Sequence, residues 1–248
     1  MEKMKSKYHY LFGSLGFITI ILVWLLFSTL QNNDVILPSI GVTFNAFINL
    51  FKDGATYLIL LNTLGGLLLV LIIAFFSALI LALISLKWSP FKSFLTPLLA
   101  LFKIVPVPAL IILFLANLKQ AFIPYLLTYL VVLPLMYDGL YGAFISVNKD
   151  IIDDLKLISK LNMKMIFKVY LPLVSKGVIS TLLQALGLGL KIKVMTEFIS
   201  EAPSTIGYAL SYARATLSMD IVFAWTLILI IIVIFFDYFL VNLLKKSG

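Results

Sequence analysis

Residues 57–86 form a run of 30 residues without one charged side chain. About 20 apolar residues in a helix cross roughly 30 Å of hydrocarbon, so this run belongs in a bilayer and exceeds one upright crossing. Its start, before Gly65, reads as an interfacial or tilted lead-in. Five further apolar segments follow the same logic. Residues 10–30 carry no charge, and 93–118 are interrupted by Lys103, Pro106 and Pro108. Residues 121–144 hold Asp138, 173–199 carry Lys191, Lys193 and Glu197, and 221–244 carry Asp237. The expectation is an all-α polytopic membrane protein of six transmembrane helices. Composition agrees: only 12 % of residues are charged, half the roughly 25 % that coats a soluble domain. With no cysteine and His9 as the sole histidine, disulfide frameworks, thiolate chemistry and Cys- or His-ligated metals are excluded. Soluble enzymes and secreted domains go with them.

The formal charge is +8, yet Arg214 is the only arginine. Nucleic-acid readers rely on arginine forks and aromatics on a solvated face, so no nucleic-acid partner is expected. The lysines instead sit between apolar runs, where they report orientation. With both termini in the cytoplasm, thirteen basic residues fall on the inner side and three (Lys52, Lys119 and Arg214) on the outer side. The first apolar run is too long for a signal peptide and no A-x-A-like cleavage site follows it, so it reads as a retained anchor. No linker or 20–50-residue repeat interrupts residues 1–248, which read as a single membrane domain.

Residues 149–172 form the one sizeable polar stretch on the inner side. Ile151, Ile152, Leu155 and Ile158 share a helical face, and Met163, Ile166, Phe167 and Tyr170 repeat it. Lys156, Lys160, Lys164 and Lys168 recur every four residues as a basic stripe. The pattern admits two readings: an interfacial helix pair with its lysines among lipid headgroups, or an apolar ridge that docks into a partner's groove.

The same segment resembles the EAA loop of ATP-binding-cassette importer permeases, E-A-A-x3-G-x9-I-x-L-P. Aligned on Leu171 and Pro172, Val169 takes the isoleucine place, Ser159 the glycine place, and Asp153, Asp154 and Leu155 the E-A-A places. The spacing is kept while the glycine and both alanines are lost. Other stretches resemble the nitrate, sulfonate and taurine branch of that superfamily, and in the same order. Leu37-Pro38-Ser39 is similar to its L-P-S/P stretch, and residues 103–111 (KIVPVPALI) to its R-P-I-P-P-L-A-L-I. Glu197-Phe198 with Ile206-Gly207-Tyr208 is similar to A-E-F…G-L-G-Y, and Asp220, Phe223, Ala224 and Asp237 to the end of its last span. The set covers residues 37–246.

The resemblance implies a type I importer permease of MetI-like architecture, multi-pass in the cell (inner) membrane. It implies two permease copies, identical or paralogous, two ABC ATPase subunits docked on the coupling loops, and an extracellular substrate-binding protein or lipoprotein that delivers the solute. Asp153, Asp154, Leu155, Ile158, Ser159, Lys160, Leu171 and Pro172 would form the coupling surface. Because glycine reaches positive φ cheaply and Ser159 does not, the turn is expected to move to Asn162, which tolerates the left-handed region. ATP and Mg would be used by the partner ATPase; this chain carries no G-x4-G-K-[ST] loop and no cofactor of its own is expected. Residues 200–220, with a short helix over 209–216, would lie near the outer gate.

Charges at bilayer depth cost a few kcal/mol and usually face protein or water. Lys193 and Glu197, four apart, are spaced to pair with each other. Lys191 has no partner at three or four residues and shares a face with Gln184. Lys103 precedes two prolines that free carbonyls and bend the third span; it faces the pathway, snorkels toward the cytoplasm or answers Asp138. Lys103, Pro106, Gln184, Lys191, Lys193 and Glu197 are therefore the candidate pathway residues, favouring a small polar or anionic organic solute. The expected function is transport rather than catalysis. The rival reading is a stand-alone secondary transporter or channel, and after it an intramembrane enzyme, for which only a Ser/Lys pair is available and no helix motif places one.

Overall fold

The computed structural model describes residues 2–147 and 173–246. Among them nine helices follow in chain order: α1 (Glu2–Gln31), α2 (Ile40–Lys52), α3 (Gly54–Lys87), α4 (Ser89–Ile104), α5 (Val107–Leu115), α6 (Ile123–Ile145), α7 (Ser175–Ser200), α8 (Ile206–Ala215) and α9 (Met219–Lys246). No strand occurs among the described residues. Helices α3, α6, α7 and α9 are each long and apolar enough to cross a membrane, and α4 with α5 meet the same test only as a pair bent by 88°. The protein is an all-helical, membrane-embedded, polytopic chain.

That bend has a local cause. Pro106 donates no N–H and pushes Val105, the residue before it, away from helical geometry, while Pro108 falls in the first turn of the next helix, where a missing N–H is tolerated. Val105 (ψ 128°) and Pro106 (ψ 123°) are both extended. Helix α4 closes with the Val105 N–H on the Leu101 carbonyl at 3.0 Å, and α5 restarts as the Ala109 N–H bonds the Pro106 carbonyl at 3.1 Å. The third apolar segment of the sequence is thus two rods. The second differs in the other direction: α3 runs unbroken for 34 residues through Gly65 and Gly66, so the lead-in before Gly65 is part of the same helix. Thr63 and Gly66 lie buried there, and packing rather than propensity holds those turns.

The described residues divide into two compact units, 1–56 with 212–230, and 57–211 with 231–248. In the first, Ser39 caps α2 by accepting from the Val42 N–H, and the Trp24 indole N–H donates to the Pro38 carbonyl at 3.0 Å. Trp24 also packs its ring 5.5 Å from Phe223. The six apolar segments of the sequence do not include α2, although the Ser39 cap and the helical spacing of Ile40, Phe44, Phe47, Ile48 and Phe51 both mark it.

In the second unit α3 presents a buried stripe of Leu67, Val70, Leu71, Ala74, Ala78 and Ala82, the spacing of one helical face. Helices α6 and α7 approach closely through small residues, as lipid-embedded helices do where apolar burial gives no drive of its own. A Cβ on Gly139 would lie 2.2 Å from Thr181 Oγ1, and one on Gly177 would lie 2.8 Å from Ala143 Cβ. Tyr137 donates its hydroxyl to Ser85 Oγ at 2.9 Å, a buried bond between α6 and α3. Ile111 of α5 packs with Ile123 and Leu127 of α6.

Candidate functional site

Helix α7 carries four of the residues singled out by sequence. Two positions along a helix turn the side chain by about 200° and seven return it to nearly the same face. Lys191 and Gln184 therefore share one side while Lys193 points to the other. Lys191 and Gln184 are exposed, whereas Lys193 and Glu197 are 1 % and 0 % exposed. Lys193 Nζ lies 3.2 Å from Glu197 Oε1. Their spacing of one helical turn puts both charges on the buried face, so each neutralises the other where water is excluded.

Three more elements complete this cluster. Glu197 Oε2 accepts from the Thr63 hydroxyl of α3 at 2.9 Å and from the Gly207 N–H of α8 at 3.4 Å. Thr63 Oγ1 accepts in turn from the Ile206 N–H at 2.9 Å. The Lys193 ammonium sits 3.8 Å from the centre of the Tyr125 ring of α6, a cation–π contact that strengthens when desolvated. Two glycines allow the approach. A Cβ on Gly66 would come within 2.9 Å of Tyr125 and 3.0 Å of Lys193 Cε, and one on Gly207 within 2.3 Å of Glu197 Cβ.

The cluster also corrects the start of α8. Sequence reading began a helix at Ala209; it begins at Ile206. A helix leaves its first N–H groups without internal partners. Here Thr63 takes that of Ile206, Glu197 that of Gly207, and Thr205 Oγ1 that of Tyr208 at 3.2 Å. Two of the three acceptors come from other helices and have no local signature, while the third, Thr205, is an N-cap threonine that does mark the boundary in the sequence.

Lys103, in the last turn of α4, forms an ion pair with Asp138 of α6, and both remain about half exposed. Pro106, exposed, sits at the α4–α5 break. Gln184 donates weakly to Ser180 Oγ at 3.4 Å. Lys191 forms no hydrogen bond or ion pair among the described residues. The six pathway candidates thus fall into three groups: Lys103 and Pro106 at the α4–α5 break, the buried Lys193 and Glu197 on α7, and the exposed Gln184 and Lys191 on the other side of α7. Asp153, Asp154, Leu155, Ile158, Ser159, Lys160, Leu171 and Pro172 lie outside the described residues, as does Asn162. Sequence reasoning missed Thr63, Tyr125, Gly66 and Asn62, which are remote in the chain and carry no charge.

No protein-family model matches this chain, and no curated protein matches it.

Proposed function

We propose that this chain is the membrane-spanning permease subunit of an ATP-driven importer, binding and conducting a small polar or anionic organic solute. In this reading α1, α3, the α4–α5 pair, α6, α7 and α9 are the six spans of a type I, MetI-like permease with both termini in the cytoplasm. A second permease copy completes the pathway. ABC ATPase subunits dock on residues 149–172 and supply the ATP and Mg chemistry, and an extracellular binding protein presents the solute. The ordered stretches between Leu37 and Lys246 that resemble the nitrate, sulfonate and taurine branch support the assignment.

The observation that carries the pathway is Lys191. It stands nine residues from the end of α7, about 13 Å at 1.5 Å per residue, well below the helix terminus. A cation with no partner among the described residues at such depth is unfavourable against lipid and faces water, an anion or another protein surface. Gln184, two turns away on the same side, extends that face with a neutral donor and acceptor. A translocation path supplies the water and the anion together.

Two measurements test the reading. Lys191→Ala is expected to reduce solute uptake about tenfold or more, consistent with loss of a charge-assisted contact, while complex assembly and basal ATP hydrolysis stay unchanged; uptake at the original rate would remove Lys191 from the path. Purification from native membranes in mild detergent is expected to retain a near-stoichiometric ATPase, lost when Leu155 and Ile158 are both changed to Asp. A lone chain or self-dimer that still moves solute in ATP-free vesicles would instead establish a secondary transporter or channel.

A further inference from the structure

The segment between α7 and the middle of α8 is fastened by a set of side chains with a distinctive division of labour. Glu201 and Ser204 both take left-handed backbone, at φ 52° and 57°. Non-glycine residues settle there only when their surroundings hold them. Glu201 is the C-cap of α7, its own N–H and that of Ala202 both bonded to the Glu197 carbonyl, whereas the stretch from Ser204 onward is held from α3. Asn62 Nδ2 donates to the Ser204 carbonyl at 2.9 Å, and Thr63 bridges the Ile206 N–H and the Glu197 carboxylate. Ala202 and Ile206 are buried beneath these bonds, at 2 % and 0 % exposure.

Burying an ion pair is a weak way to gain stability, since apolar side chains of similar volume often serve as well or better. The arrangement here does something apolar packing would not. Lys193 and Glu197 belong to the same helix, so their attraction survives any movement of α8. The contacts between the cluster and the 201–208 segment are neutral-donor bonds: Asn62 to the Ser204 carbonyl, the Ile206 N–H to Thr63, and the Gly207 N–H to Glu197. Lifting the segment exposes no unpaired charge.

We propose that Asn62, Thr63 and Glu197 form a latch that closes the 201–208 segment over the C-terminal end of α7, and that the segment opens as a unit while α3, α6 and α7 stay packed. The Lys193–Glu197 pair is the fixed part of this latch and the Thr63 hydroxyl its moving contact. Released N–H groups of Ile206 and Gly207 pass to water, and the ion pair remains closed on α7. The inference does not depend on the importer reading, because it concerns local opening and not what crosses the membrane.

The chain contains no cysteine, so a single introduced thiol reports alone. Ala202→Cys places one beneath the latch, and Ala185→Cys places one at a fully buried position of α7. The rate of modification by N-ethylmaleimide is measured in native membranes with the full chain. In the Ala202→Cys background, Thr63→Val removes both bonds made by the hydroxyl. The rate is expected to rise about tenfold, the scale of one to two net hydrogen bonds, with the rate at Ala185→Cys unchanged. Asn62→Ala, which removes the bond to the Ser204 carbonyl, should give a rise of about threefold and serves if Thr63→Val fails to accumulate. An unaltered rate at Ala202→Cys in both variants would overturn the latch. So would an equal rise at Ala185→Cys, which would mean that the whole unit had loosened.

Discussion

Lys193→Met is expected to destabilise the protein by about 3–5 kcal/mol, the cost of removing one partner from a buried ion pair. That is a large fraction of the 5–15 kcal/mol by which folded proteins typically exceed their unfolded forms. The substitution roughly keeps the volume and removes the charge, and with it both the ion pair and the cation–π contact with Tyr125. The Glu197 carboxylate would remain fully buried, with the Thr63 hydroxyl and the Gly207 N–H facing an uncompensated anion. Adding Glu197→Gln removes the charge and retains an oxygen for Thr63, so the double variant should recover most of the loss. The midpoint of thermal unfolding in mild detergent, followed for the four members of the cycle, measures the coupling. Additive losses in the double variant would show that the two side chains act separately.

Gly139→Ala is expected to cost about 1–3 kcal/mol or more through overpacking. The new methyl would sit 2.2 Å from Thr181 Oγ1 and 2.4 Å from Thr181 Cγ2. Thr181 cannot step aside cheaply, because it is β-branched and its hydroxyl donates to the Gly177 carbonyl at 2.8 Å. Helices α6 and α7 must then separate. That separation would also strip the nearby contact of Gly177 with Ala143, where a Cβ has only 2.8 Å. Combining Gly139→Ala with Thr181→Gly should restore the unfolding midpoint to within about 1 kcal/mol of the Thr181→Gly variant alone. No restoration would place the cost in the backbone of α6 instead.

The two substitutions mark how far sequence alone reaches into this molecule. Membrane insertion is legible because length and charge are local properties: the apolar runs at 121–144 and 173–199 reappear as α6 and α7 nearly residue for residue. Proline chemistry is local too, and the break between α4 and α5 falls at Val105 and Pro106. The Lys193–Glu197 pair is legible because a helix brings residues four apart together. Its surroundings are not. Thr63 lies 134 residues from Glu197 and 143 from Ile206, and a threonine in an apolar run gives no hint of its partner. Lys103 shows the same boundary from the other side. Its charge made Asp138 one of the answers the sequence offered, and the fold selects it. Helix α2 escaped because, at 13 residues, it is too short to cross a membrane, although its serine cap and amphipathic spacing are both local.

The placement of Lys193 and Glu197 one turn apart bears on biogenesis. A membrane helix must enter the bilayer before it meets its neighbours, and an isolated Lys or Asp at its centre adds roughly 2.5–3.5 kcal/mol to that step. Had the two charges been placed on different helices, each helix would have carried its own penalty into the lipid and been relieved only on assembly. On α7 they travel together, and their mutual attraction needs no other helix. Beyond Lys176 in its first turn, the segment reaches the membrane carrying one uncompensated cation, Lys191, in place of three separate charges. Polar contacts with Thr63 and Tyr125 are then a matter of docking an already inserted helix, so the chemistry of the site does not stand in the way of building it.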